Sequence, residues 1–302
     1  MSFKTASAIL RGNWLVEPSY AKAQLPLIVE MIKGNAAVDH NAFLHNADDP
    51  MLSLPKKQNF AAAISDVYIV NPYTSTDRLP YGSIAMINII GPVLKYGDYC
   101  SYGTVEQNNL ILRLGNSDRV KGIILNVDSP GGQADGTGMF ADSIKLVSKS
   151  KPVIAVVQDG YAASAGMWLF AAAQEGYATR ATDSFGSIGA YTTIYDFTEY
   201  FALNGIKITD IYAPQSADKN KPYKDALAGD TSLIETDLKF LVEDFKASVA
   251  SSRGPRLKIK GEEPFTGKMY NAKEALKMGL IDGIKPMSGV IKRMEELIAL
   301  RA

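Results

Sequence analysis

The chain has 302 residues, 46% of them apolar, and its 32 basic side chains balance its 32 acidic ones. That length suits one large domain or two small ones with a sizeable core, and zero net charge gives no electrostatic case for nucleic acid or an anionic membrane surface. The single cysteine, Cys100, excludes an intrachain disulfide and fits a reducing compartment. No stretch is apolar enough for a membrane span. The first residues carry Arg11 and Asn13 inside their apolar run and do not read as a secretory signal, so a soluble, cytoplasmic protein is expected.

In chain order, Tyr20 to Lys33 places Leu25, Leu27, Ile28, Met31 and Ile32 at helical spacing, and a polar stretch with His40 and His45 follows. Residues 1–80 are read as an appendage and 81–302 as the core domain. From Tyr81 onward, apolar strand patterns alternate with helical ones. Strands are expected over Ser83–Ile90, Val120–Val127, Pro152–Val157, Tyr177–Ala181 and Ile206–Tyr212. Helices are expected over Gly103–Gly115, Gly136–Ser148, Met167–Ala173, Tyr195–Leu203, Thr231–Ser252, Asn271–Met278 and Val290–Leu300. This alternation implies βαβ units, an α/β fold and a largely parallel sheet.

Two turns at the ends of consecutive strands stand out. Ser129-Pro130-Gly131-Gly132 exposes backbone N–H groups without side chains in the way. Asp159-Gly-Tyr-Ala-Ala-Ser164-Ala-Gly-Met-Trp168 places one serine among small residues at a helix start, where unpaired N–H groups favour an alkoxide or an oxyanion. An N-cap serine with small packing neighbours is the plain alternative. In an open parallel sheet both turns fall on the carboxyl edge, where ligands bind. A Ser-His-Asp triad is not supported, since the chain's two histidines, His40 and His45, lie in the appendage. With the nearby aspartates they are the alternative of a metal site, but their spacing matches no helical pair, and no phosphate-binding glycine loop is present, so no metal or cofactor is expected. A serine without histidine needs another base, and lysine serves when its pKa is lowered. Lys219, Lys221 and Lys224 are the candidates, against the alternative of a solvated lysine-rich loop.

With these pieces in hand the chain resembles the S49 peptidases, the signal peptide peptidase A family, and within it the phage and prophage branch of prohead, or capsid-maturation, proteases. The matching pieces are Ser129-Pro-Gly-Gly132, Gly160-Tyr-Ala-Ala-Ser-Ala-Gly166, Gly186-Ser-Ile-Gly189, Phe265-Thr-Gly-Lys-Met-Tyr270 and Glu274-Ala-Leu-Lys-Met-Gly-Leu-Ile-Asp282. The resemblance spans roughly Tyr81 to Lys285. It implies a Clp protease/crotonase-like spiral of ββα units. It also implies a Ser-Lys dyad with Ser164 as nucleophile, Gly131 and Gly132 at the oxyanion, and Ser187 holding the lysine. An ungapped count places Ala217 at the lysine position, and a two-residue loop extension brings Lys219 there, with Lys221 and Lys224 as alternative bases. One copy of each motif matches the short form of the family. That form implies a homo-oligomeric ring, of four or eight copies, with serine and lysine from neighbouring protomers. The expected function is a serine endopeptidase acting on protein substrates in a phage or prophage setting. A crotonase-like acyl-CoA enzyme and a catalytically inactive assembly module are the rival expectations.

Overall fold

A computed structural model describes residues 14–16, 54–60, 66–97 and 101–301. The expected helix over Tyr20–Lys33, the two histidines and Cys100 lie outside the described residues. The strands are β1 (Trp14–Val16), β2 (Lys56–Gln58), β3 (Val67–Val70), β4 (Ser83–Ile90), β5 (Val120–Asp128), β6 (Gly131–Gln133), β7 (Val153–Val157), β8 (Tyr161–Ala163), β9 (Glu175–Ala178), β10 (Ser184–Gly186), β11 (Met269–Asn271) and β12 (Gly283–Ile284). The helices are α1 (Thr104–Asn116), α2 (Thr137–Ser150), α3 (Ala165–Ala171), α4 (Thr198–Leu203), α5 (Lys221–Leu227), α6 (Ser232–Arg253), α7 (Ala272–Met278) and α8 (Met287–Ala299).

Seven strands form the main sheet in the order β12-β9-β7-β5-β4-β3-β2, parallel throughout except where β2 meets β3. The central strands are near-continuous apolar runs because both faces are covered. On one face Ile87, Ile123, Leu125 and Val153 pack with Leu110, Phe140, Ile144 and Leu169 from α1, α2 and α3. On the other, Ile84, Met86, Ile124 and Ile154 meet Val290, Ile291, Met294 and Leu297 of α8. β3 pairs in register with β4, so the sheet takes in residues ahead of the boundary expected at residue 80.

Two successive main strands are each followed by a short second strand and then a helix: β5, β6, α2, then β7, β8, α3. This is the ββα spiral of the Clp protease/crotonase fold. The short strands form a second tier. β8 pairs with β10, β10 with β11, and β6 with β1, while single bridges join Ser129 to Ala162 and Val93 to Gly132.

The two acidic residues of the C-terminal signature each have a structural reason. Asn271 and Glu274 form a reciprocal capping box at the start of α7, with both bonds at 3.0 Å. Gly279 ends that helix at φ 74°, where a Cβ would lie 1.7 Å from the Arg256 carbonyl oxygen. Asp282 accepts from both terminal nitrogens of the buried Arg253 at 2.9 Å, from Arg256 at 3.0 Å and from the Gly176 N–H at 2.7 Å. Burial works against the Asp282 charge, but the hydrogen bonds and charge of Arg253 outweigh it and hold the carboxyl below its ordinary range.

One expected strand is corrected. Residues 206–213 form no strand, although Ile206, Ile208 and Ile211 make the stretch apolar. Their apolar side chains are exposed, and a strand without a neighbour leaves its backbone groups unpaired. The helix expected over Tyr195–Leu203 begins at Thr198.

Candidate active site

Ser164 caps α3 at the point where β8 ends. Its backbone sits at φ 53° and ψ −118°, a conformation that L side chains rarely adopt and that costs on the order of 1–3 kcal/mol. The residue is buried, yet its Oγ takes part in no hydrogen bond among the described residues. A buried hydroxyl left unpaired costs about another 1–3 kcal/mol. Two penalties fall on one side chain, and nothing in the packing is repaid by them. Strain and unmet polar capacity of this kind collect where chemistry is done.

The surroundings hold the strain in place. The Ser164 N–H donates to the Gly186 carbonyl at 2.8 Å, and its own carbonyl accepts from Trp168 N–H at 3.0 Å. Trp168 is in turn anchored on α6, stacked on Phe245 at 4.6 Å between ring centres, with Nε1 donating to Ser248 Oγ at 2.7 Å. Gly166 lies against Ser129, where a Cβ would come within 3.0 Å of the serine Cβ.

The sequence motifs are stitched side by side. Ser129 N–H donates to Tyr161 O at 2.8 Å and Ala163 N–H returns to Ser129 O at 2.9 Å. β8 then pairs in parallel with β10, placing Gly186 opposite Ala163. The next residues along the two strands are Ser187 and Ser164. Ser187 is also buried and also at φ 53°. β10 pairs on its other edge with β11, and Ser187 N–H donates to the Lys268 carbonyl at 2.9 Å. Gly186 is at φ 130°, and a Cβ there would lie 2.4 Å from that same carbonyl oxygen. Four motifs spread from residue 129 to residue 270 therefore meet in one small tier around Ser164.

The two glycines are not equivalent. Gly131 N–H donates to Ser129 Oγ at 3.2 Å, and that hydroxyl donates to Gly91 O at 2.7 Å. Gly131 O accepts from Val93 N–H and Gln133 N–H donates to Val93 O, both at 2.8 Å. Strand alternation turns the N–H of Gly132 to the opposite side from Val93. The N–H of Ala165, the first of α3, belongs to the orphan donors of a helix start, directly after the serine.

The lysines stand apart. Lys219, Lys221 and Lys224 are exposed on or beside α5, and none bonds to the Ser164 hydroxyl. Lys221 pairs with Asp225, whose hydrogen bond raises its pKa and keeps it protonated. Lys224 lies over the Tyr212 ring at 5.3 Å. Ala217 is exposed on the same arm. Sequence reasoning missed Asp183, a buried carboxylate that accepts from the N–H groups of Gly160 at 3.1 Å, Thr179 at 2.8 Å and Arg180 at 2.9 Å. It ties the turn before β8 to the turn before β10 and so positions both serines. Its one visible signal is an acidic residue three positions before Gly186-Ser-Ile-Gly189. No group of His, Cys, Asp and Glu suited to a metal occurs among the described residues, and no described helix is long and apolar enough to cross a membrane.

The sequence profile of Clp protease matches residues 104–185, and that of peptidase family S49 matches residues 145–301. The chain is 31% identical over 179 residues to the chloroplastic serine protease SPPA of Arabidopsis thaliana, covering 58% of this chain and 26% of that protein. It is 27% identical over 202 residues to capsid assembly protease C of phage lambda, covering 66% of this chain and 45% of that protein. It is 26% identical over 245 residues to protease 4 of Haemophilus influenzae, covering 74% and 37%. The match thus spans less than half the length of each of these relatives. Ser164, Ser187 and the C-terminal signature all fall in the stretch that the second profile covers, and the chain belongs to peptidase family S49.

Proposed function

We propose that this chain is a serine endopeptidase working through a Ser-Lys dyad. The observation that carries the reading is Ser164: strained, buried and unbonded among the described residues, at a helix start, in a tier built from four of the chain's motifs. Ser164 Oγ attacks a peptide carbonyl while a neutral lysine takes its proton. The carbonyl oxygen becomes an oxyanion held by backbone N–H groups. Of the pair Gly131 and Gly132, the second is the better placed, since the first already serves Ser129, and Ala165 N–H is the natural complement. The tetrahedral adduct collapses by breaking the C–N bond, and the lysine passes its proton to the leaving amine. Water then attacks the acyl-serine, giving a proton to the same lysine, and the serine is released.

Lys219 is the base in this reading, delivered by a neighbouring copy, with Ser187 orienting it. The arm from residue 195 to residue 243 favours that arrangement. Tyr200, Leu203, Ile208, Ile211 and Phe240 are all exposed there, Ile211 at 92%, which is an apolar surface suited to a second copy of the chain. Docking would also strip water from the lysine and lower its pKa toward neutrality. The likeness to a phage capsid assembly protease favours a role in capsid maturation, with a protein substrate. Labelling by a fluorophosphonate tests the chemistry: Ser164 is modified in the wild type and no labelling is seen in Ser164→Ala.

A further inference from the structure

The pairing of β1 with β6 has no part in that mechanism. β1 runs antiparallel to β6 with Trp14 opposite Gln133, Leu15 opposite Gly132 and Val16 opposite Gly131. One side of β6 is fully used by Val93, which takes the Gly131 carbonyl and the Gln133 N–H. The contact is close: a Cβ on Gly132 would lie 1.8 Å from the Val93 carbonyl oxygen. The other side carries the N–H and C=O of Gly132, and Leu15 faces it. The register therefore brings the Leu15 backbone to the N–H that the endopeptidase reading assigns to the oxyanion. β6 also begins two residues after Ser129, which is bonded to β8, the strand that ends just before Ser164.

We propose that Trp14–Val16 is a built-in occupant of the edge on which this enzyme reads extended peptides, and that it competes with substrate for that edge. The proposal rests on the peptidase reading of Ser164. An exposed strand edge recognises any extended chain through main-chain hydrogen bonds. β1 supplies such a chain from the same molecule. Among the described residues three pair, and so short a ladder holds weakly and reversibly. Tethering offsets that weakness, because a linked segment has an effective concentration up to the millimolar range. An external peptide of comparable intrinsic affinity must displace the segment first, and its apparent affinity falls accordingly.

The test uses the full chain carrying Ser164→Ala, so that the segment cannot be lost by self-cleavage. A fluorescein-labelled synthetic peptide with the sequence of residues 11–20 is titrated and followed by anisotropy. Leu15→Pro removes the N–H that faces Gly132, and binding is expected to tighten about tenfold or more. Val16→Pro is the companion variant, because alternation points the Val16 N–H away from β6, and its affinity stays within about threefold of the parent. Equal affinity in the parent and Leu15→Pro overturns the proposal, as does an equal gain in both proline variants. The peptidase reading fails separately: fluorophosphonate then leaves Ser164 unlabelled in the otherwise unaltered chain, whatever the peptide does.

Discussion

The tier around Ser164 and the arm around Lys219 are built on opposite terms. Around the serine the N–H and C=O of Ser164 and the short strands beside it are paired, three glycines admit close contacts, and a tryptophan locks the helix that follows. On the arm, α4 and α5 bury no residue, and large apolar side chains face outward. A site whose nucleophile is held under strain by a rigid core, and whose base rides on an exposed arm, is half assembled in one chain. The difference teaches that activity and stability should respond to mutation separately. Core substitutions are felt in both, whereas arm substitutions are felt in activity alone.

The sharpest separation is Ser164→Ala. Hydrolysis of an unstructured protein is expected to fall by about 10⁴-fold or more, with the melting temperature unchanged or slightly raised because a buried unpaired hydroxyl is removed. A melting temperature lowered by many degrees would mean the serine is structural, and the contrast would be lost.

Lys219→Ala should lower kcat by about 10³-fold with no loss of stability, and Lys221→Ala and Lys224→Ala should stay within a few-fold of wild type. The shared-site arrangement has its own signature. Equal amounts of Ser164→Ala and Lys219→Ala chains, each nearly inactive, are mixed under conditions that allow subunit exchange. About a quarter of wild-type activity should return, since a working site needs the serine of one variant and the lysine of the other. No recovery, with exchange verified by mass, would place both residues in one protomer or move the base elsewhere.

Much of the core could be read from the chain before any coordinates. Ser83–Ile90 was bounded to the residue, because a continuous apolar run closed by Gly-Pro has few other ways to fold. Glycines marked the tier as well, since a Cβ would clash at Gly132 and Gly186 and would press on Ser129 at Gly166. The arm departs from expectation at Ile206–Tyr212, where three isoleucines within six residues imitate a strand but no strand among the described residues pairs with them. The β1–β6 pairing was invisible for a different reason. It is made by main-chain groups of residues far apart in sequence, and Trp14-Leu-Val16 carries no pattern that names its partner. Asp183 escaped because a single aspartate bonding backbone N–H groups looks like any turn residue.

Below these effects lies the anchoring of the C-terminal signature. Asp282→Asn leaves the fully buried Arg253 without its counter-charge, at a cost of about 3–5 kcal/mol. The pH dependence follows from the depressed carboxyl. Its contribution is fully present above the unfolded value near 3.9 and is lost as pH falls through the still lower folded value. Thermal unfolding of the wild type should therefore show a steep loss below about pH 4 that the Asn variant shares only in part. Equal slopes in both would mean that other carboxylates carry the acid transition.

The smallest expected effect probes the rigid side of the comparison directly. Gly138 lies in α2, where a Cβ would meet the Trp168 ring at 3.5 Å, an ordinary contact. Gly138→Ala should thus add helix propensity without displacing the tryptophan, stabilising the fold by about 0.5 kcal/mol, or roughly 1–2 °C in a chain of this size. If the serine half is already held as stiffly as its bonding implies, further stiffening beside Trp168 changes neither kcat nor KM. A fall in kcat with the melting temperature raised would show that α3 must move during turnover. The strain at Ser164 would then be released in the cycle and not merely stored. Calorimetry and steady-state kinetics on the same preparation distinguish the two outcomes.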